Sequence, residues 1–367
     1  MSATSLEKFL IVPGLIQVIV KTLFAFITSP FRGSNGAPTV LEHVWNTALR
    51  TLFNTLTVSQ LQLILPTFSK TYHAWSKAHN VPVDIVPIPN TNITGFWIGS
   101  KESARYVTIY FHGGGFVIDG GRPHLDLLLR MNTWSDGNHA AFCPCYTLAP
   151  EGLYPLQIAE CVEALRYVLS MPGRRPSNVL LGGDSAGGNL VLAVLSHVSR
   201  HPHPNQNVVK PLHVEEPLHG AFVIAPWVSS DATRFQSMTA FANRDIVNPK
   251  CANLWMETYT GRGQGIVVKD DEYIAPELAT ADWWKDTKVS NMLVLAGEHE
   301  FLRDAILAWA KKFQAGPGAT VFKIAIGKRE VHIAPLTAKP EDVLDKLGGD
   351  CQEAVLRDWA KANLKPK

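Results

Sequence analysis

The sequence has almost no excess of charge of either sign, and this shortage excludes several classes of protein. Its 367 residues include 34 Lys and Arg against 32 Asp and Glu, which leaves a formal net charge of +2. A nucleic-acid-binding protein needs a basic surface that neutralises several phosphates, so we expect no nucleic-acid partner. Charged residues make up only 18% of the chain and hydrophobic residues 46%, a balance that excludes intrinsic disorder. The composition indicates a globular enzyme.

Cysteines are also few, and none of the five forms a Cys-x-x-Cys pair. A zinc ribbon or a thioredoxin-type motif is therefore not expected. Free thiols in a reducing compartment are the simplest interpretation, which favours a cytoplasmic protein. His197, His201 and His203 lie close together in the sequence, but His-Pro-His-Pro is typical of an exposed turn at the end of a helix. We expect no metal site there.

A long apolar run occupies residues 9–27, with the sequence FLIVPGLIQVIVKTLFAFI. Gln17 and Lys21 interrupt this run, and Pro13-Gly14 is expected to break it. A bilayer-spanning helix needs about 20 predominantly apolar residues, whereas a signal peptide has a shorter apolar core and a clear cleavage site. We favour a helix that packs on the protein or contacts a membrane surface over a membrane anchor, and an anchor over a cleaved signal.

The pattern of strands and helices predicts an α/β fold. Residues 1–80 are dominated by apolar helical segments, and short strands follow Pro82. Alternating strands and helices indicate a mostly parallel sheet with helices on both faces. Residues 229–288 lack a clear strand and are interpreted as a helical insertion. Eight strands are expected, at residues 83–88, 94–98, 105–111, 139–146, 178–182, 221–225, 292–295 and 321–326.

The sequence Gly183-Asp-Ser-Ala-Gly187 lies between a predicted strand and a predicted helix. In a G-x-S-x-G turn of this kind the serine projects from the edge of the sheet, and the glycines remove Cβ atoms that would clash. The N-terminus of the helix offers N–H groups to a developing anion. This context predicts a nucleophile elbow with Ser185 as the nucleophile.

Three glycines follow His112 directly after another predicted strand. Consecutive glycines let their amides turn toward one point, which makes an oxyanion hole from backbone alone. A phosphate-binding loop would need Lys and Ser/Thr after the glycines, or a helix that begins at once. Phe-Val-Ile-Asp follows here, so the loop favours stabilisation of an oxyanion.

Five spaced motifs together resemble the hormone-sensitive-lipase-like branch of the α/β-hydrolase fold, over roughly residues 80–335. The motifs are HGGG at 112–115, YTLAPE at 146–151, GDSAGG at 183–188, APW at 225–227 and GEHEFLRD at 297–304. The resemblance implies carboxylic-ester hydrolysis through a Ser–acid–His triad, without metal or organic cofactor. It assigns Ser185 as nucleophile, Gly114, Gly115 and Ala186 as amide donors of the oxyanion hole, and His112 as a support for the glycine loop.

The resemblance also implies a helical cap over the core. We expect residues 1–80 to be an N-terminal cap segment and residues 229–288 to be a cap insertion. Residues 81–228 and 289–367 then form the α/β-hydrolase core, with an eight-stranded, mostly parallel sheet.

The acid and the base of the triad are assigned by position. The family places its carboxylate three residues after the glycine that ends a late strand, which here is Glu300; Asp304 and Glu298 are the alternatives. Most members carry Asp at this position, so the glutamate is a departure. The order Ser, acid, His requires the base after the last strand, where His332 is the only histidine among 13. The residue after His332 also departs from the family, which usually has Gly or an aromatic residue close behind.

These residues predict acyl transfer. His332 takes the proton of Ser185 while the serine attacks an ester carbonyl, and water then resolves the acyl-enzyme. The alternative is an acyltransferase or cyclase that uses the same triad, and a ligand-binding receptor built on an inactive hydrolase is a third interpretation that the complete triad disfavours.

Aromatic residues of the expected cap suit a small hydrophobic ester with a bulky acyl or alcohol group, although for any single one of them we favour packing of the cap onto the core. They are Trp45, Phe53, Phe68, Trp75, Trp255, Tyr259, Trp283 and Trp284. The apolar N-terminus and the acid motif look more like fungal members, which suggests a role in secondary metabolism. Substrate-binding residues, chain-length preference and oligomeric state stay open, and a homodimer is retained as an option.

Overall fold

The computed structural model describes residues 4–33, 36–316, 318 and 320–365. A single sheet of eight strands has the order β1-β2-β4-β3-β5-β6-β7-β8. The two pairs that involve β2 are antiparallel, and all the other neighbours run parallel. This confirms the predicted α/β architecture. The strands are β1 Ile85–Pro87, β2 Thr94–Ile98, β3 Tyr106–Phe111, β4 His139–Pro144, β5 Val179–Asp184, β6 Gly220–Ile224, β7 Asn291–Gly297 and β8 Val321–Gly327.

Helices cover both faces of this sheet, as the alternation of elements predicted. They are α1 Ser5–Thr28, α2 Val40–Thr55, α3 Val58–Ile64, α4 Phe68–His79, α5 Arg122–Trp134, α6 Leu156–Ser170, α7 Ala186–Val198, α8 Gln236–Ala240, α9 Pro249–Thr260, α10 Arg303–Ala315, α11 Glu341–Leu347 and α12 Gln352–Asn363. The side chains of β3 alternate between two buried cores, because successive residues of a strand point to opposite faces. Val107 and Ile109 join α6, α7 and α10, whereas Tyr106 and Tyr110 join α5 and α12.

Helix α1 is continuous from Ser5 to Thr28, so the expected break at Pro13-Gly14 is wrong. Proline removes one N–H donor from the helix interior. However, α1 packs against α2 and against the turn after α2, and this packing keeps the residues before and after Pro13 in one continuous helix. Gly14 is buried against Leu56, and a Cβ at Gly14 would lie 2.6 Å from Leu56 Cδ2. The segment Ser5–Phe31 is long and apolar enough to cross a membrane by length and composition, and only 11% of its most apolar window is buried.

Elements from two distant parts of the chain meet above the carboxyl ends of the central strands. Helix α2 packs against α9, and the rings of Phe53 and Trp255 lie 5.2 Å apart in an edge-to-face arrangement. Residues 229–288 contain α8, α9 and short 3-10 turns but no strand. The division into a cap of residues 1–80 and 229–288 and a core of 81–228 and 289–367 stays a prediction.

Candidate active site

Ser185 occupies the sharp turn between β5 and α7. Its backbone has φ 51° and ψ −118°, a strained conformation for a residue with a side chain. Two hydrogen bonds hold the turn, because the Ser185 N–H donates to Ile224 O and Trp227 N–H donates to Ser185 O. A Cβ at Gly187 would lie 1.9 Å from Phe111 O, so the helix could not begin this close to β3 with a larger residue. The turn therefore has the geometry that the G-x-S-x-G pattern predicted.

The structure brings Ser185, His332 and Glu300 together in one chain of hydrogen bonds. His332 Nε2 lies 2.8 Å from Ser185 Oγ, and His332 Nδ1 lies 3.0 Å from Glu300 Oε1. The N–H of Gly297 donates to Glu300 Oε2 at 2.7 Å, which fixes the carboxylate. All three side chains of the triad are buried. When Nδ1 carries the imidazole proton and donates it in a hydrogen bond to Glu300, Nε2 is free to accept the serine proton.

The two alternative carboxylates lie elsewhere. Glu298 Oε2 accepts a hydrogen bond from the N–H of Arg329, and Asp304 Oδ2 accepts one from the N–H of Ser237. Neither contacts the imidazole of His332. The position of Glu300 thus fits the assignment that the sequence made, and the longer glutamate side chain reaches the histidine.

The pKa of His332 is set by two opposing effects. Burial alone would lower it, but the hydrogen bond from Nδ1 to Glu300 and the negative charge of Glu300 raise the pKa above the ordinary imidazole value. The charge of Asp245 acts in the same direction. The imidazolium that forms during proton transfer from serine is therefore stabilised.

Asp245 is a buried carboxylate next to the triad that the sequence reasoning missed. Its Oδ1 accepts hydrogen bonds from the N–H groups of His332 and Ile246, and its Oδ2 accepts one from Phe301 at 2.6 Å. It thereby holds the backbone beside Glu300 and the backbone of His332 at once. Burial, opposed by the charge of His332, raises the pKa of Asp245 to about 6. No motif surrounds Asp245, so no sequence signal pointed to it.

Replacing Asp245 by asparagine is expected to lower kcat by about 10²-fold with little change in KM, because displacing catalytic groups by about 1 Å has an effect of this size. An asparagine can accept through one oxygen only, and its amide nitrogen would face one of three N–H donors. Steady-state kinetics on a p-nitrophenyl ester measure the effect. Asp231→Asn, in the same insertion, is the matched control, because among the described residues the carboxylate of Asp231 accepts hydrogen bonds from Thr233 alone. Equal kcat in both variants would refute a positioning role.

The glycine loop after β3 is held from below by buried polar groups. The N–H of Gly113 donates to Asp184 Oδ1 at 2.9 Å, and Tyr146 Oη donates to the carbonyl oxygen of His112 at 2.8 Å. Burial would raise the pKa of Asp184, but the charge of His124 and hydrogen bonds from His124, Tyr110 and Gly113 hold it below its ordinary value. His112 is fully buried and contacts the loop, not Ser185. These contacts suit the supporting role that the resemblance implied.

Three N–H groups near Ser185 have no protein partner. Within the described part of the chain, no atom accepts a hydrogen bond from the N–H of Gly114, Gly115 or Ala186. Gly114 has φ 111° and Gly115 φ 62°, conformations that side chains rarely adopt. Ala186 begins α7, whose N-terminus adds a favourable dipole for an anion. The three amides can therefore donate to an oxyanion.

Gly114→Ala is expected to lower kcat by about 10²–10³-fold, the effect of losing one oxyanion donor. A Cβ at Gly114 would lie 2.2 Å from the carbonyl oxygen of Ile118, so the loop must move. Gly121→Ala is the control, because the nearest atom to its added Cβ is 3.6 Å away and its φ is not positive. Turnover of a p-nitrophenyl ester compares the two. A Gly114→Ala variant as active as Gly121→Ala would contradict the assigned oxyanion hole.

A cavity of about 650 Å³ opens onto Ser185 and His332. Its wall is largely apolar and combines residues of α2, the glycine loop and α9, among them Leu41, Trp45, Leu49, Phe53 and Trp255. Of the aromatic residues noted in the sequence, Trp45, Phe53 and Trp255 line this cavity. Phe68, Trp75, Tyr259 and Trp284 are instead buried in the two cores. The cavity can hold a hydrophobic group beside the serine.

The structure places the histidine cluster differently from the sequence expectation. Within the described ranges, no group of three or more His, Cys, Asp or Glu side chains could hold a metal ion. Pro202 and Pro204 are exposed as predicted, but His203 between them is buried, so the predicted exposed turn is wrong at this residue. His197, in the last turn of α7, is buried as well. The N–H of His203 donates to His197 Nδ1, and Tyr154 Oη lies 2.9 Å from His203 Nε2. His203 is buried because its ring packs edge-on against the rings of Tyr154 and Tyr273.

Comparisons of the sequence with known proteins agree on one family. A family model described as the alpha/beta hydrolase fold matches residues 108–332. A Schizosaccharomyces pombe protein provisionally named as a steryl acetyl hydrolase is 28% identical over 238 residues, which cover 62% of this chain and 58% of that protein. Human hormone-sensitive lipase is 35% identical over 95 residues, covering 25% of this chain and 9% of the lipase. The aligned regions thus span less than two thirds of these relatives' own lengths.

Solved structures give the same fold. A hormone-sensitive lipase from a metagenome library superposes with a TM-score of 0.63 at 20% identity, covering 90% of this chain and 99% of that one. An esterase of the bacterial hormone-sensitive lipase family superposes with a TM-score of 0.60 at 22% identity, covering 84% of this chain and 95% of the other. At these identities the likeness shows the fold alone.

Proposed function

Because the chain belongs to the α/β-hydrolase family and to its hormone-sensitive-lipase-like branch, we propose that it hydrolyses carboxylic esters with a serine nucleophile. The observation that carries this proposal is the buried chain of hydrogen bonds from Glu300 through His332 to Ser185, on the wall of an apolar cavity. A nucleophile, a base and an orienting carboxylate in hydrogen-bond contact are what acyl transfer requires.

The mechanism follows from these positions. Ser185 Oγ attacks the carbonyl carbon of the ester while its proton moves to His332 Nε2. The amides of Gly114, Gly115 and Ala186 donate to the tetrahedral oxyanion. The imidazolium then gives its proton to the leaving alkoxide as the C–O bond breaks, which leaves an acyl group on Ser185.

Water resolves the acyl-enzyme by the same steps. It attacks the acyl carbon, loses its proton to His332 Nε2, and the imidazolium returns that proton to Ser185 Oγ as the acid leaves. Glu300 stays ionised throughout and stabilises the imidazolium. The resemblance implies no metal or organic cofactor, and each step uses only groups of this chain and water.

The substrate we propose is a small hydrophobic ester. The cavity beside Ser185 has a volume of about 650 Å³ and a largely apolar wall. It can therefore hold a bulky, apolar acyl or alcohol group of the ester. The Schizosaccharomyces pombe relative is provisionally named as a steryl acetyl hydrolase, and a steryl acetate is an ester with a bulky, apolar alcohol group. A role in fungal secondary metabolism is the finer proposal, and the likeness of the N-terminal run and the acid motif to fungal members supports it.

A series of p-nitrophenyl esters from acetate to decanoate tests this function, with Ser185→Ala as the control. We expect turnover that requires Ser185. The optimum should lie at acyl chains longer than acetate, because a longer chain buries more methylene groups against the apolar cavity wall. Turnover that is unchanged in Ser185→Ala would overturn the proposal. Deacylation by an added alcohol in preference to water would instead identify an acyltransferase, which has the same acyl-enzyme.

A further inference from the structure

A second cavity, of about 340 Å³, lies beside the end of α1 and has a strongly basic wall. Five of its lining residues are cationic or basic: Arg32, His43, Arg50, Arg244 and His299. The described residues place no Asp or Glu side chain on its wall. A chain with a net charge of only +2 therefore concentrates three arginines and two histidines at one place.

Among the described residues, no carboxylate oxygen lies within 4.0 Å of the guanidinium nitrogens of the three arginines of this basic cavity. Arg32 donates to the carbonyl oxygens of Ser29, Ala37 and Pro38. Arg50 donates to the carbonyl oxygen of Asp245 and to Thr47 Oγ1.

The guanidinium of Arg244 lies 5.5 Å from the centre of the Phe241 ring, and no carboxylate among the described residues comes within 4.0 Å of it. Burial lowers the pKa of His43, and the charges of Arg32 and Arg50 lower it further. Arginines fixed in this way match the oxygens of a phosphate group.

Helix α1 leads directly to the basic cavity, since Thr28 and Phe31 lie on the cavity wall. Most residues on the side of α1 that faces away from the domain are apolar, and Phe9, Ile16, Val20, Phe24 and Ile27 are each more than half exposed. Lys8 and Lys21 are its only exposed charged side chains. A helix that is hydrophobic all round is normally buried in a core or a membrane.

Helix α1 is also fastened to the domain along its length. At one end, Ser59 Oγ donates to Glu7 Oε1 and Gln60 Nε2 donates to the carbonyl oxygen of Glu7. In the middle, Gly14 packs on Leu56. A helix held in this way lies along the surface of the domain, so its apolar side can enter the interface of a bilayer without crossing it.

We propose that α1 and the basic cavity together form a docking surface for a bilayer that contains anionic phospholipids. The apolar side of α1 lies in the plane of the interface, and the cavity at its end accepts the phosphate of a lipid headgroup through Arg244 and Arg50. The exposed lysines of α1 add attraction to an anionic surface. Helix α2 lies between α1 and the ester cavity, so docking would bring that cavity close to the membrane.

Sedimentation with vesicles tests this docking. We expect the protein to bind vesicles of equimolar phosphatidylcholine and phosphatidylserine more tightly than vesicles of phosphatidylcholine alone. Arg244→Gln should weaken binding to the anionic vesicles by about fivefold, the effect of one basic residue near an anionic surface. Arg105→Gln is the matched control, because this exposed arginine also lies over an aromatic ring, that of Tyr106, and has no carboxylate partner among the described residues.

A second pair of variants tests α1 itself. Ile27→Asp should abolish binding to both kinds of vesicle, whereas Val267→Asp, at a site that is 98% exposed and remote from α1, should bind as the unaltered protein does. Turnover of a soluble p-nitrophenyl ester is expected to be unchanged in all four variants, which separates loss of docking from loss of folding.

Three results would overturn the proposal. They are equal binding to neutral and anionic vesicles, equal binding by Arg244→Gln and Arg105→Gln, and full binding by Ile27→Asp. Calorimetric titration with inorganic phosphate adds a fourth. Phosphate that binds through Arg244 while vesicles do not bind would assign the cavity to a soluble phosphorylated ligand instead of a membrane.

Discussion

Ser185→Ala is expected to lower kcat/KM for a p-nitrophenyl ester by about 10⁴–10⁶-fold while the protein stays folded. The substitution removes only Oγ, whose one hydrogen-bond partner in the described part of the chain is His332 Nε2. The backbone strain at φ 51° is unchanged, because alanine and serine share the same Cβ. Turnover is measured together with the thermal unfolding midpoint, which should move little.

Ser196→Ala is the control for this variant. Ser196 is also buried and lies in α7, and its Oγ accepts a hydrogen bond from Trp283 Nε1 instead of contacting the imidazole. It should retain the turnover of the unaltered protein. Activity that persists in Ser185→Ala, or that is lost equally in Ser196→Ala, would contradict the role of Ser185.

Glu300→Gln is expected to lower kcat by about 10⁴-fold, the effect of placing the imidazole proton on the wrong nitrogen. The glutamine oxygen would accept the hydrogen bond from Gly297, so its NH₂ group would face His332 Nδ1. The imidazole proton then sits on Nε2, which can no longer accept the proton of Ser185.

The pH profile gives a second readout of the same variant. His332 must be neutral to act as a base, so activity is lost as the pH falls through its pKa, which lies above the ordinary imidazole value. Without the charge of Glu300, that pKa falls, and the acid limb of the profile should move to lower pH. Kinetics between pH 5 and 9 measure the shift.

Glu298→Gln is the matched control, because Glu298 is two residues away and bonds to Arg329 without contacting His332. It should keep both the rate and the pH profile. Glu300→Asp should retain part of the activity, since it keeps the charge but has a shorter reach. Full activity in Glu300→Gln together with loss in Glu298→Gln would show that the wrong carboxylate has been assigned.

The sequence predicted the sheet and the proposed triad because both depend on local patterns. Short apolar runs identified all eight strands, and the G-x-S-x-G turn was recognised from the strand before it and the helix after it. The resemblance to the family then assigned Glu300, and the chain order Ser, acid, His assigned His332 after the last strand. The helices α11 and α12 that close the C-terminal end went unassigned, because no motif singled them out.

The features that escaped prediction depend on contacts between distant segments. Helix α1 continues through Pro13 because Gly14 fits closely against Leu56, a contact that no window of sequence contains. Asp245 bonds to backbone groups that are 56 and 87 residues away. The cavity wall joins Phe53 to Trp255, so its shape follows from how α2 and α9 pack.

Labelling with a fluorophosphonate, followed by peptide mass mapping, tests the central claim most directly. Such a reagent reacts with a serine that an adjacent base activates, whatever the substrate. The account predicts a single adduct on Ser185, formed much more slowly in Glu300→Gln and absent from Ser185→Ala. A folded protein that forms no adduct, or that is labelled at another serine, would contradict it.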